Sequence, residues 1–472
     1  MVSLVKETKI GNTYRQWIFA LLANFTLFTY GMDCGWISPM TKILQSNESP
    51  TGQAITDNDL SWIASSLSIA AIFGVSVYTF ISDYFGRKIS VICIAVPQAI
   101  SWTIRLCYPT TITLILSRVL SGLSAGGCFI IVPMYVKEIS QDDIRGVLGT
   151  LVILLQTTGL LFMYIIGTYL SYYTVTVITL TISIAVTILV LKAPESPAFL
   201  VKLEKYEEAA ETVAYLRGLD KNDKIVQNVT DCMKSEETLF KSLPNISLAS
   251  IFKNRSWRRG LFLITATFVF HGLNGSYVIV TYASTILIST GVKFEISPEI
   301  QTFSFPIFMI VGSLSLAAIV EKVGRKPLLI GSFLVTAICM ALIVIMMILQ
   351  ERGVSIPSWL PVLAIILAVS MYGAGVSPIP YIIMTEMFSF QIRAKAMGMV
   401  VTFAWSLTSL LVISYTPLNN YIAPYAPFIL YAVINFLGSI FTLLFIPETR
   451  AKTEEQINAI LETGIIAKNS HK

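Results

Sequence analysis

Charged residues are scarce in this sequence. Asp, Glu, Lys and Arg make up 13% of the 472 residues, against roughly 25% in ordinary soluble domains. Apolar residues reach 54% and gather into stretches of about 20 residues, the length that crosses a bilayer as a helix. The composition therefore excludes an ordinary soluble domain and indicates an integral membrane protein.

The residues that most enzymes and metal sites use are also few. The two histidines are His271 and His471, and the six cysteines form no metal-type cluster. The sequence shows no Gly-rich phosphate loop and no Ser/His/Asp set. These absences argue against a membrane-embedded enzyme, and we expect no metal and no cofactor.

What is present is a series of twelve apolar stretches. Their runs are continuous and do not alternate strictly, which favours helices over barrel strands. The predicted spans are residues 17–38, 60–82, 89–107, 111–134, 146–168, 174–192, 258–288, 299–320, 327–350, 357–384, 394–416 and 425–446.

The distribution of basic residues predicts the orientation. Most of the 33 Lys and Arg lie on the side of the membrane that holds both termini, and basic loops stay in the cytosol. We therefore expect both termini to be cytosolic, and the cell membrane is the expected location. The net charge of +5 reflects this topology and is no argument for nucleic acid.

Three charged motifs occur twice, in the same order. Such a repeat predicts a duplicated bundle of helices, and two similar halves can rock about a site between them. The motif pairs are Gly86-Arg87-Lys88 with Gly324-Arg325-Lys326, Glu138 and Arg145 with Glu386 and Arg393, and Pro194-Glu195-Ser196 with Pro447-Glu448-Thr449.

The repeat divides the chain into four parts. Residues 1–192 and 258–446 are predicted six-helix bundles, residues 193–257 a cytosolic helical linker, and residues 447–472 a cytosolic tail. Leu203 to Arg217 reads as an amphipathic helix that Gly218 ends. The linker is interpreted either as a latch that joins the two halves or as a solvated connection.

Taken together, these motifs resemble the sugar porter family of the major facilitator superfamily. The stretches Val132-Pro133-Met134-Tyr135 and Tyr30 to Pro39 are most similar to insect facilitated trehalose transporters. The resemblance implies an all-α membrane protein of twelve transmembrane helices, arranged as two six-helix pseudo-repeats with a short cytosolic helical linker. It also implies a secondary transporter that moves a hexose or trehalose-like sugar by alternating access, acting as a monomer in the lipid bilayer.

Six charged residues are candidates for a conformational gate at the inner ends of the spans. Opposite charges on the two halves could pair when the inside is closed and separate when it opens. The alternative is that these residues obey the positive-inside rule and cap helices. The six are Arg87, Glu138, Arg145, Arg325, Glu386 and Arg393.

Seven residues are candidates for solute binding, because sugars need convergent hydrogen bonds and an aromatic face. The resemblance points to the seventh span, but His271, Gly272 and Tyr277 replace the two Gln and the Asn of the family pattern. Each candidate could instead form an internal hydrogen bond. The seven are Gln156, His271, Asn274, Tyr277, Tyr282, Tyr381 and Trp405.

Asp33 and Arg118 are charges predicted to lie well inside spans, where an unpaired charge is costly. The resemblance matches Asp33 to an aspartate of proton-coupled sugar porters and Arg118 to its arginine partner. Proton coupling is therefore one prediction, with the proton as coupling ion. A static ion pair in a passive carrier is the other.

Two alternative functions remain open. The altered seventh span also fits a carrier of a polyol, another small polar solute or an organic ion. A sensor that binds sugar without moving it is the other alternative. Uptake of labelled solutes separates all three.

Overall fold

The structure is a computed structural model that describes residues 11–242, 252–290, 297–388, 390–450, 452 and 454–463. Twelve helices in these ranges are long and apolar enough to cross a membrane, so the twelve predicted spans are confirmed. In chain order, TM1 to TM12 are Tyr14–Leu44, Asp57–Phe85, Arg87–Cys107, Thr111–Ile139, Asp142–Tyr169, Tyr172–Val190, Arg255–Thr281, Pro298–Val323, Arg325–Glu351, Trp359–Met387, Lys395–Ile422 and Ala426–Phe445.

TM1 and TM10 are not regular along their length. TM1 consists of Tyr14–Gly35 and Ile37–Leu44, which meet at the fully buried Trp36. TM10 contains a π-helical turn, Tyr372–Val376, shortly before Pro378. Such turns leave backbone carbonyls outside the regular helix ladder and often occur at functional sites.

TM7 is broken near its middle. The segment Arg255–Gly272 ends, and a second segment, Ser276–Thr281, begins after Gly275. Gly275 has a φ of +92°, a left-handed conformation that a residue with a side chain rarely adopts. The sequence predicted one continuous span here, so the break is a feature that the hydropathy pattern did not show.

The two halves, TM1–TM6 and TM7–TM12, share a core at only one end of the bundle. We call the end from which residues 193–257 emerge the linker end, and the opposite end the far end. One hydrophobic core joins both halves toward the far end, through residues such as Leu44 and Ile286. A second core, with Ile264 and Met387, is built from TM7–TM12 and the tail and lies toward the linker end.

The described linker contains three helices, Pro197–Lys202, Tyr206–Arg217 and Lys224–Ser242. The predicted helix begins three residues later than expected, after Glu204, whose φ is +62°. Gly218 ends it in the left-handed conformation, as predicted.

The linker helices lie against the N-terminal half. The Arg15 guanidinium donates a hydrogen bond of 2.7 Å to the carbonyl of Tyr215, whose ring also contacts Phe19. The tail helix Glu454–Thr463 instead packs on the C-terminal half, where Arg259 donates to the carbonyl of Leu461 at 2.9 Å. Each half thus carries its own short helices outside the spans here, and the latch between halves stays a prediction.

Candidate functional site

Four aromatic side chains meet where the two halves approach each other. The rings of Tyr30 and Phe129, from the N-terminal half, lie edge to face with centroids 5.5 Å apart. Trp405 and Tyr277, from the C-terminal half, lie edge to face at 6.2 Å. Phe129 and Trp405 join the two pairs at 6.4 Å, and Cys34 lies 3.9 Å from the Tyr277 hydroxyl.

This aromatic cluster borders a space between the halves. Tyr30 and Cys34 are buried, whereas Phe129, Tyr277 and Trp405 are only half-buried. The half-buried rings contact one another across the halves, and we infer that their open surface faces the gap between the halves. The predicted Tyr277 and Trp405 are thus brought together, and Tyr30 and Phe129 are additions that sequence reasoning missed.

Gln156 is held near this cluster by close packing of TM5 on TM1. Gly31 lies directly against the backbone of Gln156, and a Cβ at that glycine would collide with the Gln156 carbonyl. The Gln156 side chain is half-buried and has no hydrogen-bond partner among the described residues. Its amide is therefore free to bind a solute.

His271 lies in an aromatic box formed by TM7 and TM10. Its Nδ1 is 3.0 Å from the carbonyl oxygen of Val376, and since a carbonyl only accepts, Nδ1 carries the proton in this contact. The ring stacks on Tyr372 at 6.1 Å and meets Tyr381 and Phe268 edge to face. In the neutral imidazole this leaves Nε2 as an acceptor.

Tyr372 packs against both hydrophobic cores. The first core also contacts Tyr277 and Trp405, and the second contacts Tyr381, so Tyr372 lies between the box and the core that carries the aromatic cluster. Sequence reasoning missed Tyr372, although the small residues that follow it, Gly373 to Gly375, were a signal of irregular helix.

Asn274 and Tyr282 are placed differently from the other candidates. The Asn274 amide donates to Asn435 of TM12 and accepts from the backbone N–H and hydroxyl of Ser276. These hydrogen bonds stabilise the TM7 break and occupy the Asn274 amide, so the geometry does not favour a direct contact between Asn274 and the solute. Tyr282 is buried at the far end, stacked on Tyr415 at 4.8 Å.

The Asp33 carboxylate has an unexpected partner. Arg105 Nη2 lies 2.5 Å from Asp33 Oδ1, whereas Arg118, the predicted partner, is 3.9 Å from it and donates instead to the Asp33 carbonyl. All three side chains are buried. The predicted Asp33–Arg118 pair is therefore a cluster of one carboxylate and two guanidinium groups.

Arg105 lies two residues before the end of TM3. It is fully buried, with its guanidinium carbon 4.1 Å from the ring centroid of Trp102 and 4.7 Å from that of Trp36. Ser117 accepts a hydrogen bond from its Nε at 2.9 Å. Trp102 stands three residues earlier on the same helix, but Trp36 and Asp33 come from TM1, so the burial of Arg105 depends on tertiary packing that its position near a span end does not show.

At the far end the two halves are sealed by direct contacts. Ser284 and Ser38 share three hydrogen bonds: the Ser284 N–H donates to the Ser38 hydroxyl at 3.1 Å, the Ser284 hydroxyl donates to the Ser38 carbonyl at 2.7 Å, and the Ser38 hydroxyl donates to the Ser284 hydroxyl at 3.2 Å. Tyr164 donates to the carbonyl of Val280. The gap beside the aromatic cluster is therefore closed on this side.

At the linker end the two repeated motifs form equivalent ionic clusters. In the N-terminal half, Arg87 pairs with Glu138 at 3.0 Å. The Glu195 carboxylate accepts from the backbone N–H groups of Arg87 and Lys88 at 2.9 and 3.1 Å. Ser196 completes the cluster by donating to Glu138.

The C-terminal half repeats this arrangement residue by residue. Arg325 pairs with Glu386 at 2.8 Å, and Glu448 accepts from the backbone N–H groups of Arg325 and Lys326 at 3.1 and 3.0 Å. Thr449 donates to Glu386 at 2.5 Å. The duplication read from the sequence is thus present in the side-chain geometry.

In this conformation the pairs of both clusters lie within each half and not between halves, and the predicted gate stays a prediction. Arg145 also pairs within its own helix, with Asp142, and Arg393 has a side chain outside the described part. A Cβ at Gly146 or Gly398, near the linker ends of TM5 and TM11, would meet open space. The core at the linker end of the C-terminal half contains no described residue of TM1–TM6, so the two halves are not packed together there and the gap opens toward the linker end.

Comparison with known sequences gives a consistent result. The sequence model of the family described as sugar (and other) transporter matches residues 19–461. The facilitated trehalose transporter Tret1 of Bombyx mori is 25% identical over 448 residues, covering 94% of this chain and 87% of that protein. The Apis mellifera ligustica protein of the same name is 24% identical, with the same coverage of both chains.

Comparison with solved structures supports the same fold. The xylose transporter XylE from E. coli, in a partially occluded inward open conformation, superimposes with a TM-score of 0.76. It is 19% identical, and the match covers 93% of this chain and 100% of that one. The expected twelve-helix major facilitator fold is confirmed.

Proposed function

Because the chain belongs to the sugar (and other) transporter family, we propose that it carries a hexose or a trehalose-like sugar across the membrane by alternating access. The family confirms the resemblance drawn from the sequence motifs, and the chain is a membrane transporter and not an enzyme. Transport by this family requires no cofactor.

The observation that carries the sugar assignment is the aromatic cluster shared by the two halves. Apolar faces of a sugar ring stack on aromatic side chains, and a few placed polar groups fix its hydroxyls. Tyr277 and Trp405 supply such faces, while Gln156 and the Nε2 atom of His271 supply hydrogen-bonding groups. Similarity to proteins named facilitated trehalose transporters supports the same solute class.

Alternating access is supported by the unequal closure of the two ends. The far end is sealed by bonds between the halves, and the linker end is open. Each ionic cluster ties together helices of one half, so each half can move as a body. Rocking the halves about the aromatic cluster would expose it to the other side.

We assign passive, facilitative transport on the basis of Arg105. Protonation of Asp33 would leave two buried guanidinium cations, Arg105 and Arg118, without a counter-charge, and an unpaired buried charge costs several kcal/mol. The carboxylate then serves as a fixed counter-ion for both arginines throughout the cycle.

Proton-coupled transport is the second candidate, and one atom favours it. Asp33 Oδ2 is buried and has no hydrogen-bond partner in the described structure. A proton delivered through water could reside on that oxygen while Oδ1 keeps its bond to Arg105. Under this alternative, a proton gradient drives accumulation of the solute.

Purified protein in proteoliposomes tests both assignments. We expect labelled glucose or trehalose to equilibrate across the membrane and to exchange with unlabelled sugar, with no accumulation when an inward proton gradient is applied. Accumulation against the sugar gradient would replace facilitation with symport. Binding without flux would indicate a sensor, and flux of a polyol but of neither sugar would move the assignment to that solute.

The orientation follows from charge. Basic residues such as Lys88, Arg145 and Lys326 lie at the linker end, which we assign to the cytosol by the positive-inside rule. Both termini are then cytosolic, and the state described above faces inward. The cell membrane is the proposed location, and a monomer in the lipid bilayer contains both halves that the site requires.

A further inference from the structure

Three buried tyrosine hydroxyls at the far end have no partner. Tyr282 of TM7, Tyr415 of TM11 and Tyr431 of TM12 are all at most 3% exposed. Their hydroxyl groups form no hydrogen bond with the residues that the structure describes. A buried hydroxyl without a partner is unfavourable, because it has given up its bonds to water.

Several other buried tyrosines of the bundle do have partners. Tyr135 donates to the carbonyl of Pro194 at 2.9 Å, Tyr172 to that of Arg105 at 3.0 Å, and Tyr78 to that of Cys93 at 2.6 Å. The fold therefore supplies acceptors to tyrosines that stay buried. Three orphaned hydroxyls in one region indicate groups whose partner is absent from this conformation.

The three tyrosines lie beside the seam that must open. Tyr282 is two residues from Ser284, which bonds to Ser38 of the other half. Its ring stacks on Tyr415 with centroids 4.8 Å apart and planes 26° apart. When the halves separate at the far end, this stack becomes a wall of the newly opened space.

Tyr431 links the same region to the TM7 break. Its ring lies directly against Gly275, the residue with left-handed backbone that separates the two segments of TM7. Motion of the segment Ser276–Thr281, which leads to Tyr282, therefore changes the surroundings of Tyr431 as well.

We propose that Tyr282, Tyr415 and Tyr431 form a second docking subsite for a polyhydroxyl solute, occupied only when the far end is open. The subsite rests on the proposed sugar transport. In the open state the phenol hydroxyls bond to sugar hydroxyls, and the tyrosine rings offer an apolar face. Once the solute moves on to the aromatic cluster and the far end closes, the hydroxyls lose their partners, which favours reopening.

The test measures transport in each direction with Tyr415→Phe, Tyr431→Phe and the double variant. Oriented proteoliposomes give the KM for uptake from the far end and from the linker end separately. We expect the ratio of the far-end KM to the linker-end KM to rise by about threefold to tenfold for each hydroxyl removed. Tyr78→Phe, which removes a satisfied hydroxyl in TM2, should leave this ratio unchanged.

A series of monodeoxy sugars separates docking from a mere shift in conformation. At the far end, the analogue that lacks the bonded hydroxyl should bind the wild-type protein more weakly than the parent sugar does. The Tyr→Phe change should then weaken the binding of the parent sugar but leave the binding of this analogue unchanged. Additive effects of analogue and variant, or an unchanged KM ratio, would overturn the subsite. A wild type that carries no sugar in either direction would overturn the proposed function itself.

Discussion

Arg105 is the residue whose role differs most from what its sequence position indicates. It stands two residues before the end of TM3, yet both its charge and its apolar stem are enclosed by Asp33 and two indole rings. Its Nη1 atom has no partner in the described structure. Because Arg105 and Arg118 share the single carboxylate of Asp33, the cluster carries one more positive charge than negative. The negative charge of Asp33 is therefore needed to balance the two arginines.

Removing Arg105 should destabilise the protein strongly. Arg105→Leu leaves the Asp33 carboxylate without its closest partner, and breaking a buried pair costs about 3–5 kcal/mol. Thermal unfolding in detergent, followed by loss of the monodisperse peak, gives the measurement. Lys42→Ala is the control, because Lys42 pairs with Glu299 while its own side chain is 82% exposed.

Near-equal melting temperatures for Arg105→Leu and Lys42→Ala would show that the Asp33 cluster is not a structural unit. Asp33 would then be available for a proton, as in the symport alternative.

Trp405 should affect solute binding more than stability. Its ring is half-buried and contacts Tyr277 and Phe129 on the border of the gap, so truncation removes a stacking face without emptying a core. We expect Trp405→Ala to raise the KM for sugar exchange at least about tenfold, since stacking contacts of this size contribute about 1–3 kcal/mol. Trp102→Ala, at a fully buried indole, is the contrasting variant and should reduce stability instead.

Residue identity alone could not divide the candidates into solute ligands and structural groups. Asn274 and Gln156 both carry amide side chains within spans. The Asn274 amide forms hydrogen bonds with Asn435 and Ser276, whereas no described residue forms a hydrogen bond with the Gln156 amide. The difference depends on which neighbouring helix faces each side chain. That information lies in the tertiary packing and not in the local pattern.

At the scale of elements, the sequence predicted the spans well, because hydropathy over 20 residues is a local property. It did not predict the breaks in TM1 and TM7. Gly275 was visible in the sequence, but a glycine in an apolar helix is often tolerated without a break. The Tyr431 ring occupies the space that a Cβ of residue 275 would need, so the requirement for glycine at this break comes from tertiary packing.

The TM7 break should be sensitive to a single methyl group. Gly275→Ala would place a Cβ into the Tyr431 ring and impose a side chain on a φ of +92°. We expect flux to fall at least about tenfold even when the protein still folds, because the two segments of TM7 can no longer keep their relative angle. Gly353→Ala, also at positive φ but in open space, is the matched control for flux.

The two ionic clusters should respond alike when their arginines lose every carboxylate partner. Arg87 pairs with Glu138, whereas Arg325 pairs with Glu386 and also, at 2.7 Å, with Glu321. Glu138→Gln and the double change Glu321→Gln with Glu386→Gln should therefore each lower the free energy of unfolding by about 3 kcal/mol. Asp142→Asn, at a highly exposed partner of Arg145, should change it little. A loss confined to one of the two clusters would contradict the equivalence of the halves.

At the scale of the whole molecule, the duplication read from three short motifs describes the architecture. Each motif set builds one ionic cluster in its own half, and the far-end core joins the halves. The sequence could not show which end is closed, because both conformations use the same helices and the same motifs. The direction of closure depends on contacts such as Ser38 with Ser284, which carry no sequence signature.

The most direct test of alternating access is a paired distance measurement with spin labels in lipid. One pair of labels at Gly146 and Gly398 reports on the linker end, where a side chain meets open space. A second pair at Lys42 and Ile300, both exposed, reports on the far end. Conditions that favour the opposite state should shorten the first distance and lengthen the second. Rocking of the two halves would be contradicted if both distances lengthened or both shortened, or if neither distance changed while sugar crosses the membrane.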